Sequence, residues 1–122
     1  VAGTPQYMAP EQALASKEIP VGPGADVYAI GVILYEMLSN AVPFDSGNPI
    51  DVMKRVVSES PCPLMKITRN IPRDLETICL KCLAKEAHNR YLTANALATD
   101  LDRYLQGLPI TARRVGSVEM AW

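Results

Sequence analysis

The stretch at 27–38 constrains this chain more than any other feature. It is almost wholly apolar, and only Tyr28, Tyr35 and Glu36 carry polar groups in it. A helix apolar on every side is one that the rest of a domain packs around. The run falls short of the ~20 residues needed to cross a bilayer, and Glu36 lies inside it. It therefore predicts a central helix of a globular domain rather than a membrane anchor. Asp26, just ahead of it, suits an N-cap or a first-turn acid, and Ser39-Asn40 ends it.

Shorter elements flank this helix. Residues 1–12 show neither helical nor strand period and carry two prolines, which predicts an ordered loop or short turn. Residues 13–25, with Pro20, Gly22, Pro23 and Gly24, continue as a loop. After a turn at Pro43-Phe44-Asp45-Ser46-Gly47, Asn48 caps and Pro49 starts a second helix, where proline is tolerated. Ile50, Met53 and Val57 share one face of it, and Asp51 is spaced to pair with Arg55. That amphipathic stripe is read as core, with a docking helix as the alternative. Pro61 and Pro63 make 58–71 a loop. Pro72 opens a third helix with Leu75, Ile78, Cys79, Cys82 and Leu83 on one stripe, broken by the polar stretch 85–90. Thr93 caps a fourth helix whose stripe is Leu97, Leu101, Tyr104 and Leu105, and Gly107 and Pro109 stop it. No segment reads as a strand, a repeat or low complexity. The expected fold is mainly α, about four helices with long ordered loops. The stretch 110–122 is irregular and carries no stop signal, so the natural chain is expected to run on.

Composition narrows the function classes. At 122 residues and 48% hydrophobic, the chain can bury one core. A net charge of −1 and 6% aromatics give no basis for nucleic acid or an anionic membrane as partner. Three cysteines exclude a complete disulfide framework. Cys79 and Cys82 form a C-x-x-C with no second pair, and His88 is the sole histidine, so both thiols are read as small apolar helix residues. A reduced, cytoplasmic setting fits. Residues 1–12 have neither a basic start nor an apolar stretch, so no secretory leader is expected there.

Taken in order, several segments resemble one family. Gly3-Thr4-Pro5-Gln6-Tyr7-Met8-Ala9-Pro10-Glu11 is similar to the G-T-x-x-Y-M-A-P-E segment that closes the activation segment of Ser/Thr protein kinases. Asp26-Val27-Tyr28-Ala29-Ile30-Gly31-Val32-Ile33-Leu34-Tyr35-Glu36-Met37-Leu38 resembles the kinase D-V-[WY]-S-x-G-V-x-L-Y-E-L-L helix, with Pro43-Phe44 following in place. Arg90 sits where the family carries a late arginine. The resemblance covers about 1–106, the second half of the large lobe (C-lobe), with 107–122 as a tail or linker. Residues 72–83 together with the tail look like bacterial eukaryotic-like kinases of the planctomycete type. In such proteins a membrane helix or further domains often follow.

The resemblance implies a parent that moves the γ-phosphoryl group of ATP, with Mg²⁺, to Ser or Thr of a protein substrate. The Gly-rich loop, the V-A-x-K lysine, the H-R-D-x-x-x-x-N loop and the D-F-G are not among these residues. Phosphoryl transfer needs them together. The expectation is therefore that no residue here is catalytic or binds metal, that the fragment holds neither ATP nor Mg²⁺, and that it is inactive alone. Its partner would be the rest of the kinase domain, and expressed alone it is expected to aggregate.

By the same resemblance Thr4 contacts the catalytic aspartate and lysine, and Gly3, Pro5, Gln6 and Tyr7 line the pocket for the residue after the phosphoacceptor. Glu11 and Arg90 would form the buried ion pair that pins this loop to the helical lobe. Asp26 would anchor the catalytic loop, and Gly31 would permit a close backbone approach. Two departures from the pattern, Lys85-Glu86-Ala87 for K-D-P and Ala29 for serine, leave room for the alternative. That alternative is a pseudokinase or helical protein-binding module without catalysis.

Overall fold

The computed structural model describes residues 5–14 and 22–112. The order of α-helices is α1 Pro10–Ala13, α2 Pro23–Ser39, α3 Pro49–Ser58, α4 Leu64–Ile67, α5 Arg73–Cys82 and α6 Ala94–Leu105. Single 3-10 turns stand at Pro5–Tyr7 and Ala87–Asn89. No strand occurs among the described residues, which have the expected mainly α architecture, four longer helices joined by ordered loops and single turns. No described helix is long and apolar enough to cross a membrane.

The α2 helix stands between two cores. On one side Tyr28, Val32 and Tyr35 pack with Ala9, Phe44, Val52, Val56, Leu64, Cys79 and Leu83. On the other, Val27 packs with Ile78, Cys82, Tyr91, Leu97, Ile110 and Ala112. Leu34 touches both. The α2–α5 crossing is close because Gly31 faces Cys82: a Cβ at Gly31 would overlap the Cys82 Cβ. The Cys79 thiol donates to the Gly31 carbonyl at 3.4 Å across that contact.

Several local expectations are revised. Helix α2 begins at Pro23, inside the stretch read as loop, with Gly22 as its N-cap. Proline at the first helical position lacks only an N–H that would be unpaired anyway, so a Pro/Gly cluster is compatible with a helix start. Asp26 is consequently a first-turn acid and not the cap. Nor is α2 covered all round, for Ile30, Ile33 and Met37 are exposed. Within 58–71 the structure forms the single turn α4, which buries Leu64. In α3 the core face is Val52 and Val56, whereas Ile50 is exposed and Met53 and Val57 are half-buried. Arg55 pairs with Glu59 at 3.2 Å and donates to the Asp45 carbonyl at 2.6 Å instead of pairing with Asp51.

The caps at Asn48 and Thr93 form as read, accepting from the Ile50 and Ala96 N–H groups. In α6 Leu97 is buried but Leu105 is 78% exposed. Gly107, with φ of +75°, turns the chain back after α6. Ile110 and Ala112 then return to the second core.

Candidate functional site

The loop from Pro5 to Leu14 is held by polar contacts to elements distant in sequence. The Gln6 side chain donates to Asp45 at 3.3 Å, and the Tyr7 hydroxyl donates to Glu36 on α2 at 2.5 Å. The hydrogen bond to Glu36, with burial adding to it, raises the Tyr7 hydroxyl above its ordinary pKa. Pro10 opens α1, and the Gln12 side chain accepts from the Ala9 N–H at 2.8 Å, satisfying a donor the first turn leaves free.

Glu11, carried by α1, meets Arg90 from the segment between α5 and α6. Arg90 Nη1 and Nη2 donate to the two Glu11 oxygens at 2.7 and 2.8 Å, a bidentate fork across 79 residues of sequence. The remaining guanidinium N–H groups donate to the carbonyls of Gly24 at 3.0 Å, Ala84 at 2.7 Å and Lys85 at 3.1 Å. All the donors of a guanidinium are thus used, as a residue only 2% exposed requires. The Tyr28 ring lies 5.1 Å from the guanidinium carbon, giving a cation–π contact on the same group. The Arg90 hydrogen bonds hold the Glu11 carboxyl below its usual range, against the opposing effect of burial. Gly24 belongs to this cluster because a Cβ there would press on Ala87.

The other site residues inferred from sequence lie apart from this cluster. Gly3 and Thr4 fall outside the described residues. Pro5, Gln6 and Tyr7 form the half-buried 3-10 turn. Asp26 is exposed on α2, and Ile30, Ile33 and Met37 follow at helical spacing as further exposed positions. Gly31 is buried on another face of the same helix. Among the described residues no group of three or more His, Cys, Asp or Glu side chains is placed to hold a metal ion. Burial pushes the thiols of Cys79 and Cys82 up to about 12, so both stay protonated at neutral pH.

Two polar features escaped the sequence reading. Lys85 lies with its ammonium 4.5 Å from the Phe44 ring centre and donates to the Val56 carbonyl. Burial lowers its pKa. Asp100, on α6, is 1% exposed and accepts from the Tyr91 hydroxyl, from the Thr111 N–H and hydroxyl, and from the Ala112 N–H. The signal for it was present: an aspartate three residues after Leu97 occupies a core position of an amphipathic helix.

Comparison with known proteins places this arrangement. The protein kinase domain matches residues 1–101. The chain is 40% identical over 115 residues to the serine/threonine-protein kinase PknB of Mycobacterium leprae, covering 94% of this chain and 18% of that protein. It is 37% identical over 115 residues to the PknB of Mycolicibacterium smegmatis, with the same 94% and 18% coverage. The chain thus spans less than a fifth of the length of these relatives. With a domain match over most of its residues and an ion pair joining the loop before α2 to the segment before α6, the chain belongs to the protein kinase family.

Proposed function

We propose that this chain is the substrate-side half of the large lobe of a Ser/Thr protein kinase, and that its parent transfers the γ-phosphoryl group of ATP to Ser or Thr of a protein. The observation that carries this reading is the Arg90–Glu11 fork, which fastens the loop of Pro5, Gln6 and Tyr7 to the helical scaffold. Positioning is most of what a kinase contributes to phosphoryl transfer. A loop fixed at both Tyr7 and Glu11 suits the task of holding an acceptor segment in register.

Thr4 in this reading contacts the catalytic loop and favours a Ser/Thr acceptor, while Gly3, Pro5, Gln6 and Tyr7 line the pocket next to it. None of the chain's own motifs is a phosphate cradle or a metal-binding carboxylate set, so the chain does not fit ATP or Mg²⁺. Both are held by other parts of the parent, and the chain on its own is inactive. The exposed row of Asp26, Ile30, Ile33 and Met37 supports docking of another part of the parent kinase domain, since an apolar row on a central helix is otherwise left in water. In this reading the parent is a bacterial kinase of the planctomycete type, which the resemblance of residues 72–83 and the tail supports.

The test is to read the in-frame codons preceding Val1 and to assay the intact parent for phosphoryl transfer from ATP to a Ser/Thr peptide. The lysine, H-R-D and D-F-G motifs together with transfer are expected. A frame lacking both aspartates, with no transfer, leaves the helical binding module as the correct description.

A further inference from the structure

Asp100 is a buried carboxylate with most of its hydrogen bonds on one short stretch of chain. The Tyr91 hydroxyl donates to it at 2.6 Å, the Thr111 N–H at 2.7 Å, the Thr111 hydroxyl at 2.9 Å and the Ala112 N–H at 3.2 Å. A carboxylate offers about four acceptor positions, and here each has a donor. Three of the four donors come from Thr111 and Ala112, so the carboxylate acts as a receptor for the segment after the Gly107 turn. Arg103 adds a strap by donating from Nε to the Pro109 carbonyl at 2.7 Å. Ile110 and Ala112 are 1% and 6% exposed beneath this network, whereas Thr111 between them faces solvent.

The polar contacts are therefore closed by the hydroxyl of an exposed residue, which donates to a buried negative charge. We propose that Asp100, Tyr91 and Thr111 form a latch that holds the chain at 110–112 against α6, and that phosphorylation of the Thr111 hydroxyl opens it. The step transfers a phosphoryl group from a nucleoside triphosphate to Thr111 Oγ1. The new O–P bond replaces the bond to the leaving nucleoside diphosphate, and the hydroxyl proton goes to the base of the kinase involved. The product exchanges a hydrogen-bond donor for a group of charge near −2 within contact distance of the Asp100 carboxylate, which repels it. Arg103 is a described cation of this network, and a phosphate that drew its guanidinium away from the Pro109 carbonyl would remove the strap as well. The proposal does not require the parent to be the kinase that modifies Thr111, so it stands apart from the function proposed above.

The experiment compares the intact parent protein with phosphothreonine incorporated at position 111, the same protein with T111V, and the unmodified protein. Hydrogen exchange of the amides at 110–112 is the readout. Phosphothreonine is expected to speed exchange at 111 and 112 by at least about tenfold, the signature of local opening. T111V, which loses one hydrogen bond and adds no charge, is expected to speed it only about two- to fivefold. Thr111 is exposed, so both variants fold. Exchange in the phosphothreonine protein within about twofold of the unmodified protein, or no faster than in T111V, overturns the proposal.

Discussion

Among the described residues two charged side chains, Arg90 and Asp100, are buried to similar degrees, and they do different work. Arg90 gathers Glu11, Gly24, Ala84 and Lys85, so its contacts span from α1 to the loop after α5. Asp100 gathers Tyr91, Thr111 and Ala112, all within 12 residues of itself. Each satisfies the requirement that a buried charge be fully hydrogen-bonded. What differs is the length of chain each contact closes. Loss of the long-range cluster releases a whole loop from the scaffold, while loss of the local one frees only the segment at 110–112.

Substitutions in the intact parent kinase domain sharpen this contrast. The largest effect is expected for Arg90→Met, which leaves Glu11 without its partner and strands three carbonyls. A loss of about 3–5 kcal/mol in denaturant unfolding is expected, together with loss of peptide phosphorylation by the parent. Asp100→Asn should cost about 1–3 kcal/mol and confine its increase in hydrogen exchange to residues 91 and 110–112. An exchange increase reaching the loop at 5–14 would erase the distinction between the two clusters.

Acid provides a second comparison. Burial opposes ionisation of Asp100, but the hydrogen bonds from Tyr91, Thr111 and Ala112 prevail and its pKa lies below the ordinary 3.8. Glu11, hydrogen-bonded by Arg90, lies below the ordinary 4.5. A depressed folded-state pKa stabilises fully above the unfolded value, and that stability is lost as pH falls through the folded value. Stability is therefore expected to be flat in this respect near neutrality and to fall below about pH 4.5, through Glu11 and then Asp100. In a melting series Arg90→Met and Asp100→Asn should each flatten part of that acid limb.

The smallest effect is expected at Tyr28. Its ring supports Arg90, yet its buried hydroxyl has no hydrogen-bond partner among the described residues, and burial pushes its pKa up to about 12. Tyr28→Phe keeps the ring and removes the orphaned group, so a change between zero and about 1 kcal/mol of added stability is expected. A clear loss on unfolding would mean that the hydroxyl is engaged.

The two clusters also differ in how far they could be read from the sequence. Glu11 and Arg90 were found because each sits in a motif, although nothing in spacing or periodicity links residues 79 apart. Asp100 belongs to no motif, and only its position on the Leu97 stripe marked it. The central helix was legible because an apolar run has one physical solution, but its start was not, since Pro20, Gly22, Pro23 and Gly24 read equally as loop or as helix entry. In α3 two apolar rows interleave, Ile50-Met53-Val57 and Val52-Val56, and periodicity alone cannot choose which row turns inward. Tertiary packing with Phe44, Leu64 and Tyr35 chose the valines. The exposed Ile30, Ile33 and Met37 likewise could not be foreseen, because an all-apolar helix carries no mark of which side stays open.

The most direct test of the account is a double-mutant cycle on the long-range pair, with Glu11→Ala, Arg90→Met and the double variant unfolded by denaturant in the intact parent kinase domain. If the fork pins the loop to the scaffold, the double variant should lose little more stability than Arg90→Met alone, with a coupling of at least about 2 kcal/mol. Losses that add to within about 0.5 kcal/mol would mean the two residues act independently, and would contradict the account.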